Sequence, residues 1–310
     1  MTGVGPSVTR RILAYRAGGL GDTLLLLPAL SALRRWAGRK GTLEVVGTMP
    51  YVKLTLGDES ASRVHDASLH LFSGLLSEPP DADTVRFLNG FDAVVAWGDS
   101  LGLSAAPDPL EPVLFLESSL PPSGTHAVDH YLAAAGRLGA GAPAGVSATP
   151  SLRLSATCSA AASRWLGERG LDPDRLAVVH PSSGSSTKNW PVERFESLRV
   201  LAEGEGFDLL WICGPADEEV IASLCRMGDA VARGLDLTLV GAITSRARVY
   251  IGNDSGITHL AASSGARVVA LFGPTDPTQW APRGQAVCVT KFDTSAEEVW
   301  GFARELMRLS

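Results

Sequence analysis

Apolar residues fall in short unbroken blocks along this chain, and the blocks alternate with stretches whose apolar spacing suits amphipathic helices. Residues 10–16 (RRILAYR), 42–48 (TLEVVGT) and 91–97 (FDAVVAW) read as strands in the first half. In the second half the same reading covers 175–180 (RLAVVH), 207–213 (FDLLWIC), 248–252 (RVYIG) and 267–272 (RVVALF). Continuous apolar runs of this length suit strands buried on both faces, as in a parallel sheet. Between them, residues 22–37 (with Pro28 early), 127–138, 157–167, 191–204, 215–227, 256–264 and 295–309 are predicted helices. Strands separated by helix-length segments indicate βαβ units, so the expected class is α/β with Rossmann-like layers in both halves.

Two stretches resist assignment: 98–126, rich in Pro, Ser and Gly, and the weaker pattern after 227. The run GAGAPAGVSATPS at 139–151 is the best linker candidate. It divides the chain into a first domain over 1–145 and a second over 146–310, with the last helix a candidate to pack back on the first. Two such domains facing one another would leave a ligand-sized cleft between them.

Composition narrows the picture. A chain of 310 residues with 45% hydrophobic residues can fill two ordinary cores. Its net charge of −6 gives no electrostatic footprint for nucleic acid. The four cysteines, Cys158, Cys213, Cys225 and Cys288, form no CxxC pair and stand beside no histidine cluster. That argues against a zinc site or a disulfide framework and for a reducing, cytoplasmic setting. Residues 1–9 lack the basic and apolar regions of a signal peptide. The most apolar stretch, 20–33, is cut by Asp22 and Pro28 and is too short for a bilayer. The expectation is a soluble protein that remains free to work at a membrane surface.

Three strand-to-helix junctions carry the candidate chemistry. The first, Ala17-Gly18-Gly19-Leu20-Gly21-Asp22-Thr23, combines glycines that let a backbone approach a ligand with the amides of a helix start. Asp22 there serves as a helix cap or as a functional carboxylate. The second runs from His180 to Pro191 and offers Ser185, Ser186, Thr187 and Lys188. Several neutral donors and one point charge suit a diphosphate, although a plain flexible loop would share the composition. Trp190 and Pro191 read as a packing plug and a helix-start proline. In the third, Gly252-Asn253-Asp254-Ser255-Gly256-Ile257-Thr258-His259, the Asp254 carboxylate would accept from sugar hydroxyls or cap a helix, and His259 reads as structural. Asp217, Glu218 and Glu219 mark another junction, where one acid could meet a ribose or simply favour a helix N-terminus. The turn at 272–282 reads as architecture.

Taken together, RAGGLGDTLLLLPALSALRR (16–35), HPSSGSSTKNWPVERFESL (180–198) and GNDSGITHLAASSGARVVALFGPTDPTQWAP (252–282) resemble the heptosyltransferase-type glycosyltransferases of lipopolysaccharide assembly. The resemblance covers the start of the first half and most of the second. It implies a GT-B fold: two Rossmann-like domains with an interdomain cleft, the donor held by the second. It further implies inverting, metal-independent transfer of a heptose from ADP-heptose to a saccharide or glycolipid acceptor, with no cofactor. Carried onto this chain, Asp22 would be the general base in an acceptor-side loop containing Gly18, Gly19 and Gly21. Lys188, with Ser185, Ser186 and Thr187, would neutralise the leaving diphosphate. Asp254 and Ser255 would face the donor sugar, Gly256 would offer its amide to phosphate, and Glu218 would meet the ribose. Peripheral contact with the inner membrane surface would fit a glycolipid acceptor.

One feature departs from that pattern. Residues 41–132 contain three basic residues (Lys53, Arg63, Arg86) against thirteen acidic ones. A phosphate-rich acceptor would call for a basic groove there. The same chemistry with another sugar or acceptor therefore stays open, as does a non-enzymatic nucleotide-binding protein on this fold. A nicotinamide dehydrogenase is disfavoured, because no GxGxxG follows a strand.

Overall fold

The apolar blocks become the centres of two parallel sheets. The computed structural model of the chain describes residues 9–57, 59–73, 80–98, 112–140, 147–214 and 217–309. Contacts divide the chain into two compact units, Met1–Pro150 and Ser151–Ser310, so the division falls inside the candidate linker. Residues 99–111 of the unassigned segment and 141–146 of the linker lie outside the described residues.

The first unit runs β1 (Arg11–Arg16), α1 (Leu20–Leu25), α2 (Leu27–Ala37), β2 (Thr42–Gly47), β3 (Arg63–Asp66), α3 (His70–Ser73), α4 (Ala82–Leu88), β4 (Ala93–Trp97), β5 (Val113–Glu117) and α5 (Ala127–Ala135). Its sheet is ordered β3-β2-β1-β4-β5, with every pairing parallel. Leu13, Tyr15, Val46, Val94 and Ala96 bury one face against Phe72, Leu88 and Phe91. The helix expected over 22–37 starts earlier, at Leu20, and is interrupted at Leu26. Pro28 explains the break: it donates no amide and its ring crowds the carbonyl one turn back, so it is accommodated only in the first turn of a new helix.

The second unit runs α6 (Ala156–Gly167), β6 (Leu176–His180), α7 (Val192–Gly204), β7 (Asp208–Cys213), α8 (Glu218–Leu224), β8 (Ala230–Arg233), α9 (Leu237–Arg246), β9 (Val249–Asn253), α10 (Gly256–Ser263), β10 (Arg267–Phe272), α11 (Pro277–Trp280), β11 (Ala286–Lys291) and α12 (Ala296–Met307). The order is β11-β10-β9-β6-β7-β8, again all parallel. The stretch read as weak after 227 holds β8 and α9, and the helix expected over 215–227 is shorter, Glu218–Leu224.

The last helix belongs to the second unit's own core. A reciprocal cap starts it: the Ser295 hydroxyl accepts from the Glu298 amide, and the Glu298 carboxylate accepts from the Ser295 amide. Val299, Trp300, Ala303, Leu306 and Met307 then form one apolar stripe that joins Phe195, Trp211 and Ile251. Trp300 meets Phe207 edge-on at 5.3 Å between centroids. Among the described residues, no helix is long and apolar enough to cross a membrane.

This placement has a measurable consequence. Trp300→Ala should keep a native-like far-UV spectrum but cost about 3–5 kcal/mol in urea unfolding, the usual penalty for emptying a buried aromatic site. A loss below about 1 kcal/mol would mean that α12 is not a core element.

Candidate functional site

In each sheet the connection changes direction at one point, and open α/β sheets bind ligands beyond the carboxyl ends of the strands there. In the second unit that point lies between β6 and β9. The two loops singled out from the sequence leave the sheet at these strand ends, one after His180 and the other after Asn253.

The structure brings Lys188 and Asp254 together. The Lys188 ammonium donates to the Asp254 carboxylate at 3.0 Å, with Lys188 partly exposed and Asp254 buried. Ser185, Ser186 and Thr187 line the exposed loop ahead of Lys188, where a single 3-10 turn spans Ser186–Lys188. The Ser185 and Thr187 hydroxyls are 3.0 Å apart. Asp254 is not the cap of α10. That position belongs to Ser255, whose hydroxyl accepts from the Thr258 amide. Gly256 is the first helical residue, so its amide falls among those for which an α-helix provides no acceptor. Hydroxyls, an ammonium and a helix start thus gather at one sheet edge, a combination suited to an anionic group.

Trp190 is the plug expected of it. It is 1% exposed, stands edge-on to Phe195 and donates its indole N–H to the Phe292 carbonyl at 3.2 Å.

The acids at the start of α8 divide. Glu218 and Glu219 lie on the surface, and Arg233 holds the Glu218 carboxyl below the usual range. Asp217 turns inward and accepts from the Gly214 amide at 2.6 Å and from His180 Nε2 at 3.1 Å. Burial works to raise its pKa, but the hydrogen bond from His180, the His180 charge and the Gly214 amide bring it down to about 2.

In the first unit the corresponding direction change lies between β1 and β4, and Asp22 follows β1 there. Asp22 is the third residue of α1, and the cap position is taken by Gly19. Its Oδ2 accepts from the Gly19 amide at 2.8 Å, and its Oδ1 accepts from Arg16 at 2.8 Å. Gly18 is needed for this fold-back: a Cβ there would lie 2.8 Å from the Asp22 carboxylate. Arg16 is buried, also donates to the Ala17 carbonyl at 3.0 Å and lies 3.4 Å from the Tyr131 hydroxyl. Gly21 is the second residue of α1.

Reading by residue type assigned no role to Arg16, His180, Asn253 or Tyr131. Arg16, His180 and Asn253 are each the last residue of a central strand, and a polar side chain ending an apolar strand was the available signal.

The architecture is that of a two-unit, doubly wound GT-B protein, and the comparisons with known proteins carry the assignment further. The chain belongs to glycosyltransferase family 9 (heptosyltransferase), whose model matches residues 111–299. It is similar to lipopolysaccharide heptosyltransferase 3 of Escherichia coli K12, with 26% identity over 121 residues, 35% of this chain and 34% of that protein. The alignment therefore spans about a third of the curated relative. Solved structures match over nearly the whole length. A family 9 glycosyl transferase from Veillonella parvula superposes with a TM-score of 0.77 at 21% identity, covering 98% of each chain. E. coli heptosyltransferase WaaC with ADP gives 0.69 at 19%, covering 96% of this chain and 99% of that one.

Asp217 makes stability depend on acidity. Its folded-state pKa of about 2 lies below the unfolded value, so its contribution is fully present above about pH 5 and is lost as pH falls towards 2. The urea-unfolding gap between wild type and Asp217→Asn should narrow by about 2 kcal/mol from pH 5 to pH 2. A gap independent of pH would mean that the carboxylate's charge is not what the site uses.

Proposed function

We propose that the chain is an inverting, metal-independent heptosyltransferase that moves a heptose from ADP-heptose to a saccharide acceptor of lipopolysaccharide or a related surface glycan. The observation that carries this reading is the Lys188–Asp254 pair, 3.0 Å apart at the carboxyl ends of β6 and β9. It places a cation for phosphate and a carboxylate for hydroxyls side by side, which a donor combining the two chemistries requires. Membership of the heptosyltransferase family and the likeness to a structure containing ADP support the choice of donor.

In this reading the acceptor hydroxyl attacks the anomeric carbon as ADP departs from the opposite face. Asp22 takes the hydroxyl's proton. Arg16 and the Gly19 amide each occupy one lone pair of its carboxylate, which orients the group and leaves further lone pairs to receive the proton. Lys188, the hydroxyls of Ser185, Ser186 and Thr187, and the Gly256 amide offset the charge that develops on the leaving phosphate. Asp254 exchanges its contact with Lys188 for hydroxyls of the donor sugar, beside Ser255. Glu218 is the ribose-side acid, since its carboxylate lies on the surface, paired there with Arg233, while Asp217 is buried against Gly214 and His180. No cofactor enters the scheme. The acidic balance of residues 41–132 favours an acceptor whose recognised part is sugar rather than phosphate. We place the protein in the cytoplasm, in peripheral contact with the membrane's inner surface.

Calorimetry with ADP, UDP and GDP tests the donor. ADP should bind selectively, and Lys188→Ala should weaken it about 10- to 100-fold, the range for one charge-assisted contact. Asp22→Asn should leave ADP affinity within about twofold while lowering transfer from ADP-heptose by about 10²–10⁴. Preference for UDP or GDP would move the reading to another sugar. Failure to bind any of the three would favour a non-enzymatic role.

A further inference from the structure

His180 ends the central strand β6, and its ring touches the junctions that follow both neighbouring strands. On one side Nε2 meets the Asp217 carboxylate at 3.1 Å, at the start of α8 after β7. On the other, Nδ1 meets the Ser255 hydroxyl at 3.2 Å, at the cap of α10 after β9. The ring is buried, at 4% exposure.

The Asp217 carboxylate fixes the role of one ring nitrogen. An ionised carboxylate only accepts, so Nε2 carries a proton and donates to Asp217. Nδ1 shares a hydrogen bond with the Ser255 hydroxyl. The Ser255 oxygen also accepts from the Thr258 amide, which is the cap of α10. The chain continues inward: the Thr258 hydroxyl donates to the Asn253 carbonyl at 2.5 Å, and the Tyr250 hydroxyl lies 3.0 Å from it. Acid, imidazole and hydroxyl stand in the order of a hydrolytic triad, but the Ser255 oxygen is committed to its own helix and is not a nucleophile.

We infer that His180 is a positioning residue that couples the start of α8 to the start of α10, so that the ribose side and the phosphate side of the donor site are ordered together. This rests on the reading of those junctions as the donor site. The physical basis is that one rigid ring serves both contacts. Ordering the ring costs conformational entropy once, and either contact alone would have to meet that cost by itself. Losing one contact therefore weakens the other, which two separate side chains would not do.

Three substitutions separate a bridge from two independent anchors. His180→Gln keeps a donor near the Nε2 position and loses Ser255. His180→Asn keeps an acceptor near the Nδ1 position and loses Asp217. His180→Leu loses both. With folding checked by far-UV circular dichroism, all three should bind ADP at least about tenfold more weakly than wild type, and Gln and Asn should fall within about twofold of Leu. Gln and Asn each recovering about half of the loss on a logarithmic scale, or wild-type affinity in all three, would overturn the inference. A cycle of Asp217→Asn and Ser255→Ala in the otherwise unchanged chain gives a second reading. Their effects on ADP affinity and on the urea midpoint should depart from additivity, by about threefold or more in affinity, and additivity in both would also overturn it. If wild type binds no ADP, the donor reading falls, and the urea cycle alone then decides whether the junctions are coupled.

Discussion

Asn253 is fully buried at the end of β9, and its amide is used in both directions. Its oxygen accepts from the Trp190 amide at 3.0 Å, and its nitrogen donates to the Pro181 carbonyl at 2.7 Å. The loop after β6 is thereby held at both ends by one side chain of the neighbouring strand. Only this orientation of the amide satisfies both partners, and a buried group left without one would cost about 1–3 kcal/mol. Lys188 owes its place to that clamp, because it sits on the segment between the two held points. The pairing of Lys188 with Asp254 follows from it, since Asp254 is the residue next to the clamp.

The first unit uses a different device for a related purpose. There the loop after β1 is fixed by a buried arginine from the strand end and by a helix whose third residue reaches back to the Gly19 amide. Thr48, beyond the end of β2, adds a hydroxyl that accepts from the Gly18 amide at 3.1 Å. Both units thus spend polar side chains at the ends of central strands to hold a glycine- or serine-rich loop in one shape. The loops have little apolar surface with which to hold themselves, so the order comes from hydrogen bonds made to the sheet.

What could be read in the sequence follows from burial. The interior strands β1, β2, β4, β6, β7, β9 and β10 are buried at nearly every position, so their sequences are mostly apolar and stand out. Of the sheet-edge strands β3, β5, β8 and β11, none was anticipated. β3 is four residues long (RVHD) and β11 has only partly buried and exposed positions. An edge strand needs less apolar character and profits from charge, so its pattern merges with that of a loop. The break at Leu26 illustrates another limit. Pro28 was visible, but whether it opens a helix or interrupts one depends on how the segments on either side of it pack.

The sequence by itself determined the class of fold, the three junctions and the residue types that stand in them, because strand burial and glycine-rich turns leave local patterns. Tertiary structure decided how those residues are employed. It made Ser255 rather than Asp254 the cap of α10, turned Asp217 inward and left Glu218 on the surface, and bound Asp22 to Arg16. It also set α12 in the second core. Each of these depends on a partner distant in sequence or on the direction in which a side chain points, and residue order along the chain fixes neither.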